Sequence, residues 1–321
     1  MRPLQPGDEI RVIAPSYSAA TRQDQRSAER ATERLESLGY KVTFGKYLAS
    51  RFHLGTASAE ERAEDFNSAY KDARVKAIMA FTGGWSANEI LPKIDWELVR
   101  ANPKPLCGFS DITVLLNAVY AKTGAIGFLG PNFSTLGRMI SWRYTLNNFD
   151  AMLRQQLPAP LKRSKEWGVT ASKRYKTRAW SILQPGEAEA VAIGGNLGTL
   201  YLLQGTEYQP AFNEPFILLA EDDDESGTFT AREFSRRLES LLQLPLVRQN
   251  LRGVLVGRFQ PSSRVTMPDI VSIIASKRLG DIPVVAGVDF GHTIPMLTFP
   301  IGGKVRLTAN GRRAEVSIVS S

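Results

Sequence analysis

The sequence predicts an α/β protein, with an N-terminal open doubly wound domain built on a parallel sheet and a smaller β-rich C-terminal domain. At 321 residues and 43% hydrophobic content, the chain is longer than one average domain needs and can bury a sizeable core. Strand and helix patterns alternate through the first half, whereas strand patterns dominate the second. We therefore expect domains over residues 1–155 and 186–321, joined by a linker or lid loop over residues 156–185.

The first half follows a regular order of strand, helix and strand. An apolar run over 9–14 is typical of a strand, and a charged amphipathic pattern over 22–38 predicts a helix that ends at Gly39. The alternation continues through strands at 41–44, 76–81, 105–109 and 125–130, with helices at 58–71, at 87–91 and after Ser110. Such alternation implies βαβ units with right-handed crossovers, and therefore a parallel sheet.

The second half is organised mainly as strands. Its strand candidates lie at 187–196, 216–224, 252–259, 283–291, 304–309 and 314–319. One clear helix begins near Thr230, where Thr230 and Glu233 stand at capping-box spacing. The Asn-Gly pair at 310–311 is typical of a type I′ turn and predicts that the last two strands form a hairpin.

The composition argues against several classes of protein. No apolar run approaches the roughly 20 residues that cross a membrane, and the N-terminus lacks the apolar core and cleavage site of a secretory signal. We therefore expect a cytoplasmic protein with no membrane partner. The single cysteine, Cys107, rules out an intrachain disulfide and argues against a cysteine-based metal site.

A basic segment accounts for much of the net charge of +8. Lys and Arg dominate residues 161–178, Glu166 is the one acidic residue there, and Trp167 and Tyr175 are interleaved. Cations with stacking aromatics suit a single nucleic-acid strand, but no nucleic-acid-binding motif accompanies them. We therefore expect no nucleic-acid partner. We interpret the segment as a solvated inter-domain loop, or as a lid over an anionic or aromatic substrate.

Ser110 lies where an apolar strand turns into a helix, in the stretch LCGFSDIT. The carboxyl ends of parallel strands line the crevice of an open α/β sheet, so a serine at this place is a candidate nucleophile. The two glycines of FTGGWSAN, at 81–88, follow another buried strand and allow close approach of backbone N–H groups. Ser followed by Asp is also a favoured helix N-terminus, and the spacing alone favours a cap over a nucleophile.

A nucleophilic serine needs a base, and the chain has only two histidines. His53 lies in a polar stretch that looks like a surface loop, whereas His292 directly follows an apolar strand and is the better placed base. Glu221, the first polar residue after five apolar ones, is a candidate for the carboxylate that orients the imidazole. We expect Asp222–Glu225 to face solvent. A carboxylate metal site is the competing interpretation, although no EF-hand spacing is present.

Five blocks of the sequence together resemble the LD-carboxypeptidases, serine peptidases that include the murein tetrapeptide carboxypeptidases and the microcin C self-immunity proteins. The blocks are NPKPLCGFSDIT, FTGGWSAN, AIGGNLGTLYLLQGTEY, LLAEDDDES and FGHTIPMLTFPIG. Each block is modest alone, but they are spread in register across nearly the whole chain and form a specific signal. This resemblance changes the interpretation of Ser110 from a cap to a nucleophile.

The resemblance implies a homodimer of two-domain subunits and a hydrolase that uses neither a metal nor a cofactor. It implies that Ser110 is the nucleophile, Glu221 the orienting carboxylate and His292 the general base. It also implies an oxyanion hole formed by the backbone N–H groups of Gly84 and Asp111.

The insert that contains RAWSILQPG is similar to the microcin-immunity branch, whose substrates are aminoacyl or peptidyl adenylate analogues. In that branch a loop tryptophan stacks on the nucleobase. Trp180 matches this position and Trp167 is the second choice, although Trp180, close to Ile182, also fits a buried core residue. Trp85, in the glycine turn, is the other candidate substrate contact. The sequence leaves open a murein tetrapeptide substrate, a glutaminase-type amidotransferase and a non-catalytic binding protein.

Overall fold

A six-stranded sheet, an eight-stranded sheet and a two-stranded hairpin organise the protein, seen here in a computed structural model. The structure describes residues 2–18, 22–52, 54–157, 159–170, 172–311 and 313–321. His53, one of the two histidines weighed as a base, lies outside the described residues. Within them, no helix has the length and apolar character needed to cross a membrane.

The strands of the described chain are numbered in order along the sequence. They are β1 (Glu9–Ile13), β2 (Lys41–Phe44), β3 (Val75–Ala80), β4 (Leu106–Gly108), β5 (Gly127–Leu129), β6 (Ala159–Pro160), β7 (Glu166–Thr170), β8 (Lys173–Lys176), β9 (Ser181–Gln184), β10 (Gly186–Asn196), β11 (Phe216–Glu221), β12 (Leu251–Gly257), β13 (Val284–Val288), β14 (Phe299–Ile301), β15 (Lys304–Asn310) and β16 (Arg313–Ser320).

Helices connect these strands and cover the sheets. The α-helices are α1 (Arg22–Glu36), α2 (Ala59–Lys71), α3 (Trp96–Ala101), α4 (Ile112–Thr123), α5 (Phe133–Leu136), α6 (Trp142–Leu153), α7 (Leu197–Leu200), α8 (Thr230–Leu242), α9 (Pro245–Asn250) and α10 (Met267–Ser276). Short 3₁₀ helices cover Ala87–Lys93, Tyr201–Leu203, Gly227–Phe229 and Pro261–Ser263.

The six-stranded sheet has the order β14-β5-β4-β3-β1-β2. Its five strands from the first half pair in parallel, as the alternating pattern predicts. The sixth strand, β14, comes from the second half and pairs antiparallel with β5. No sequence pattern predicts β14, because a strand of three residues is too short to form one. Through β14, a segment from the second half of the chain joins the sheet that carries Ser110.

The eight-stranded sheet has the order β6-β16-β15-β10-β11-β12-β13-β9. Its central strands, β10 to β13, pair in parallel, and the outer strands pair antiparallel. The predicted fold class, a parallel α/β half followed by a strand-rich half, is therefore confirmed. The segment 156–185 contributes β6 and β9 to this sheet and forms the separate β7–β8 hairpin. We propose the boundaries 1–155 and 186–321 for the two domains.

Some elements begin where the local sequence predicts, and others do not. Ser58 caps α2 in a reciprocal capping box with Glu61. The capping box predicted at Thr230 is wrong, because a 3₁₀ turn leads directly into α8 and places Thr230 inside helical geometry. The last hairpin is confirmed, but Asn310 pairs with Arg313, so its turn is centred one residue later than the Asn-Gly pair.

Candidate active site

Ser110 occupies the turn between β4 and α4 in a backbone conformation that few residues with side chains adopt. Its φ is +63°, in the left-handed region, which costs about 1 kcal/mol or more. The serine does not cap α4, because Asp111 holds the N-cap position. Its Oγ lies instead 2.9 Å from His292 Nε2. A strained serine at a strand-to-helix turn, hydrogen-bonded to a histidine, fits a nucleophile better than a cap.

Glu221 and His292 form a chain of hydrogen bonds that ends at Ser110. Glu221 is the last residue of β11 and is 1% exposed, and His292 lies in the loop after β13. His292 Nδ1 lies 2.7 Å from Glu221 Oε2 and donates to it, since an ionised carboxylate only accepts. Nε2 can then accept from the Ser110 hydroxyl. The structure therefore brings together the three residues that the sequence singles out.

Two opposing effects set the pKa of His292. Burial disfavours the imidazolium and lowers the pKa, but the charge of Glu221 and its hydrogen bond outweigh burial and raise the pKa from 6.5 to about 9. At neutral pH the histidine is therefore mainly protonated. It can accept a proton from Ser110 only after losing its own, so the fraction of His292 that can act as a general base should increase as the pH rises.

We expect kcat/KM to rise with pH as His292 deprotonates. It should reach half of its maximum near pH 9, above the ordinary histidine pKa of 6.5. Glu221→Gln removes the attraction but keeps the burial, so its half-maximal point should fall below that of the wild type. The maximal rate should also fall, although by less than on loss of the serine or histidine, because the imidazole loses its orienting acceptor. The measurement is a kcat/KM profile of both proteins from about pH 5 to pH 10.

Glu225→Gln is the matched control for that profile, because Glu225 is an exposed carboxylate in the loop that follows Glu221. This control should reproduce the wild-type curve. If Glu221→Gln also leaves the curve and the rate unchanged, Glu221 does not orient His292 and a neighbouring aspartate must do so.

The aspartates that follow Glu221 have other partners. Asp222 accepts two hydrogen bonds from Arg237 Nη1, at 2.8 and 2.7 Å, and Asp223 accepts one from Asn196 Nδ2 at 3.1 Å. The expectation that Asp222 faces solvent is wrong, because its pairing with Arg237 allows it to be buried. Burial raises the pKa of Asp222 to about 7 against the opposing effect of Arg237. Across the described ranges, no group of three or more His, Cys, Asp or Glu side chains could hold a metal ion.

Two glycines allow the three functional side chains to approach one another. A Cβ on Gly83 would lie 2.9 Å from Ser110 Cβ and 3.0 Å from Ser110 Oγ. A Cβ on Gly291, whose φ is +97°, would lie 2.8 Å from Glu221 Oε2. Only glycine accommodates such approaches without displacing a neighbour. The first glycine of FTGGWSAN therefore packs directly against the serine.

The backbone around Gly84 and Asp111 fits the predicted oxyanion hole. Tyr17 N–H donates to the Gly83 carbonyl at 3.2 Å, and because a trans peptide is planar, the Gly84 N–H points away from Tyr17. Neither this N–H nor that of Asp111 donates a hydrogen bond to any of the described residues. Both groups are therefore available to a substrate oxygen near Ser110.

Two buried polar side chains whose contacts no sequence pattern predicts, the Asp111 carboxylate and Arg62, hold the segments around Gly84 and Ser110. The Asp111 carboxylate accepts from Ser16 Oγ at 2.5 Å and from Ala87 N at 2.8 Å, and burial raises its pKa. Arg62, 1% exposed, donates to three backbone carbonyls and pairs with Glu89. Its carbonyl partners are Ala57 at 3.0 Å, Pro15 at 3.0 Å and Ser86 at 2.7 Å. No sequence spacing signals either role, because the partners are distant in the chain.

The two tryptophans named as substrate contacts differ in their surroundings. Trp85 is 68% exposed, next to the Gly83–Gly84 turn, and packs edge-on against Tyr17 with ring centroids 6.4 Å apart. Trp180 is 8% exposed, and its Nε1 donates to Asp289 Oδ2 at 2.7 Å. Trp85 is therefore accessible next to the Gly83–Gly84 turn, whereas Trp180 is largely covered in this structure.

Comparison with known proteins gives matches along almost the whole chain. The family models for the LD-carboxypeptidase N-terminal and C-terminal domains match residues 10–130 and 189–307. The Bacillus subtilis protein "Putative carboxypeptidase YocD" is 38% identical over 95% of both chains. The Microcin C7 self-immunity protein MccF of Escherichia coli is 30% identical over 98% of this chain and 94% of its own. The murein tetrapeptide carboxypeptidase of Pseudomonas aeruginosa is 26% identical over 95% and 94%.

Solved structures show the same similarity in three dimensions. An MccF-like protein from Bacillus anthracis superposes with a TM-score of 0.94 at 36% identity, covering 100% of this chain and 99% of its own. MccF in complex with aspartyl sulfamoyl adenosine superposes with a TM-score of 0.87 at 29% identity, covering 100% and 98%. With both domain models matched and such relatives aligned end to end, the chain belongs to the LD-carboxypeptidase family.

Proposed function

We propose that the protein is a serine hydrolase that cleaves aminoacyl or peptidyl adenylates, as a microcin-immunity type of LD-carboxypeptidase. The observation that carries the hydrolase proposal is the hydrogen-bond chain from Glu221 through His292 to Ser110. Its geometry is that of a nucleophile, a general base and an orienting acceptor. The neighbouring N–H groups of Gly84 and Asp111 supply the donors that a tetrahedral intermediate needs.

The proposed reaction is acyl transfer to water through Ser110. Neutral His292 accepts the hydroxyl proton as Ser110 Oγ attacks the carbonyl carbon, and the N–H groups of Gly84 and Asp111 stabilise the oxyanion. In an N-acyl analogue such as aspartyl sulfamoyl adenosine the carbon–nitrogen bond then breaks, and His292 gives its proton to the leaving nitrogen; in an adenylate the carbon–oxygen bond breaks and the phosphate leaves as an anion. A water molecule, deprotonated by His292, attacks the acyl-enzyme, which releases the acid and regenerates Ser110. No metal or cofactor takes part in these steps.

Two alternatives for the chemistry have less support. A glutaminase-type amidotransferase uses a cysteine nucleophile, but Cys107 is buried in β4, and burial raises its thiol pKa well above the usual value. A non-catalytic binding protein does not need the strained φ of Ser110 or the short approach of Gly83 to its hydroxyl. The strained φ is a cost that nucleophilic attack explains.

The choice of substrate rests on the relatives. MccF has been solved with aspartyl sulfamoyl adenosine, an aminoacyl nucleoside, and it aligns with nearly all of this chain. The murein tetrapeptide carboxypeptidase aligns as completely but at lower identity, so cleavage of a murein tetrapeptide is the second candidate. The partner is in either case a small molecule. From the family resemblance we also propose that the protein is cytoplasmic and that it forms a homodimer. Sedimentation of the purified protein tests whether it is a dimer.

We expect the protein to hydrolyse aspartyl sulfamoyl adenosine faster than a murein tetrapeptide that ends in D-Ala. The measurement offers both compounds side by side at the same concentration and follows the products by mass spectrometry. Cleavage of the tetrapeptide alone makes the protein a murein carboxypeptidase and contradicts the adenylate proposal. Cleavage of neither compound, with binding retained in a calorimetric titration, favours the non-catalytic alternative.

A further inference from the structure

A set of hydrogen bonds joins the helix that follows Ser110 to the strand-rich half of the chain. Thr113 and Asn117 lie one turn apart on α4, and both are 0% exposed. Thr113 Oγ1 accepts from the backbone N–H of Asn196 at 3.1 Å. The Asn117 amide pairs with the backbone of Gly194, donating to its carbonyl at 3.0 Å and accepting from its N–H at 3.1 Å. Two side chains of α4 are therefore bonded to the end of β10.

Two glycines near the end of β10 allow α4 to lie this close. Gly194 and Gly195 have φ values of +121° and +133°, in the region that favours glycine. A Cβ on Gly195 would lie 2.6 Å from Thr113 Oγ1, so a side chain at this position would displace the helix. The sequences of both elements therefore set the spacing between α4 and β10.

A third side chain reaches the turn of Ser110 from the strand-rich half. Thr199 belongs to α7, the short helix that follows β10. Its Oγ1 lies 3.2 Å from the carbonyl oxygen of Ser110 and 3.2 Å from that of Asn196, and it can donate to either. Ser110 has a φ of +63°, and a strained backbone persists only where its surroundings hold it. Thr199 is one of the groups that hold it.

The end of β10 is also linked to the base. Asn196 and Glu221 lie opposite each other in the parallel pairing of β10 with β11. Glu221 in turn accepts from His292 Nδ1 at 2.7 Å. One strand end is therefore bonded to the helix that follows Ser110 on one side and to the strand that carries Glu221 on the other. The 2.9 Å distance from Ser110 Oγ to His292 Nε2 depends on both connections.

We propose that Thr113, Asn117 and Thr199 are positioning residues, which keep the Ser110 hydroxyl within hydrogen-bonding distance of His292. They act through the backbone of α4 and of the Ser110 turn. This inference rests on the proposed function, because it takes Ser110 as the nucleophile. Loss of these contacts should slow the attack of Ser110, but it should leave the pairing of His292 with Glu221 unchanged, since both of these residues belong to the second half of the chain.

The test measures how fast diisopropyl fluorophosphate labels Ser110, followed by mass spectrometry of the peptides. Ser110 Oγ attacks phosphorus, fluoride leaves and His292 takes the proton, so the rate reports on this pair whatever the natural substrate is. Thr113→Val keeps the shape of the side chain but removes the hydroxyl. It should be labelled about tenfold more slowly than the wild type, at a temperature where both are folded. Thr113→Ser keeps the hydroxyl and should restore the rate.

The pH dependence of labelling separates a positioning effect from a change at the base. Thr113→Val should reach half of its maximal rate at the same pH as the wild type, whereas Glu221→Gln should shift that pH downward. Thr123→Val is the matched control, because Thr123 lies at the other end of α4 and donates to Val119 O of the same helix. This control should be labelled at the wild-type rate.

A second variant keeps the inference testable even if Thr113→Val fails to fold. Thr199 is only partly buried, and Thr199→Val should slow labelling by about fivefold, with the rate restored in Thr199→Ser. If Ser110 of the wild type is labelled and the folded valine variants are labelled equally fast, the inference is overturned while the nucleophile stands. A wild type that is not labelled at Ser110 overturns the proposed nucleophile and this inference together.

Discussion

Replacing Ser110 by alanine should lower kcat by about 10⁴-fold or more at the optimal pH, because the chain loses the oxygen that attacks the substrate carbonyl. The fold should remain intact. The hydroxyl contacts His292, and alanine keeps the Cβ and therefore the same backbone preference at φ +63°. The measurement combines steady-state kinetics on aspartyl sulfamoyl adenosine with a thermal unfolding curve of each protein.

Ser272→Ala is the matched control for this substitution, since Ser272 is an exposed serine on α10. It should retain the wild-type rate and melting temperature. A Ser110→Ala protein that keeps more than about a tenth of the wild-type kcat, in a preparation free of wild-type enzyme, excludes Ser110 as the nucleophile.

Replacing Arg62 by methionine should have the largest effect on stability, about 3 kcal/mol in the free energy of unfolding. The guanidinium donates to carbonyls of Pro15, Ala57 and Ser86, and methionine leaves these buried acceptors without a donor. Because Ser86 lies two residues after Gly84, kcat should fall as well. The measurement is denaturation in urea, fitted with a common m value, together with the kinetics at a temperature where the variant is folded.

Arg236→Met is the control for the Arg62 variant, because Arg236 is exposed and forms its ion pair with Glu233 on the same helix. A surface ion pair of this kind contributes less than about 1 kcal/mol. If the two methionine variants lose the same free energy of unfolding, the hydrogen bonds of Arg62 do not stabilise the fold around the Gly83–Gly84 turn.

The three residues of the hydrogen-bond chain were predictable because each follows an apolar run. Ser110 and His292 follow the runs that form β4 and β13, and Glu221 is the polar last residue of β11; the polar end of a buried strand opens onto the crevice of an α/β fold. With two histidines in the chain, the choice of base was narrow. What the pattern alone could not decide was whether Ser110 was a cap or a nucleophile. That distinction depends on φ and on a contact with His292, which lies 182 residues away in the chain.

Features that depend on tertiary contacts were not predictable from the sequence. Arg62 looks like one more surface residue of a charged helix, and its burial follows from loops that meet it in space. Asp222 is in a run of acidic residues typical of a solvated loop, yet Arg237 pairs with it and allows its burial. Thr230 and Glu233 have capping-box spacing, but the turn that precedes α8 already has helical geometry. The spacing of residues along the chain does not show which residues will contact them in the folded protein.

Acylation of Ser110 with the help of His292 can be observed by mixing excess enzyme with aspartyl sulfamoyl adenosine. The mixture is quenched with acid during the first turnover, and the peptides are mapped by mass spectrometry. We expect an aspartyl group on the peptide that contains Ser110, which appears and decays with time and is absent in Ser110→Ala. Formation of product at the wild-type rate, with no acylated Ser110 at any time and with the acyl group on another residue, would contradict this mechanism.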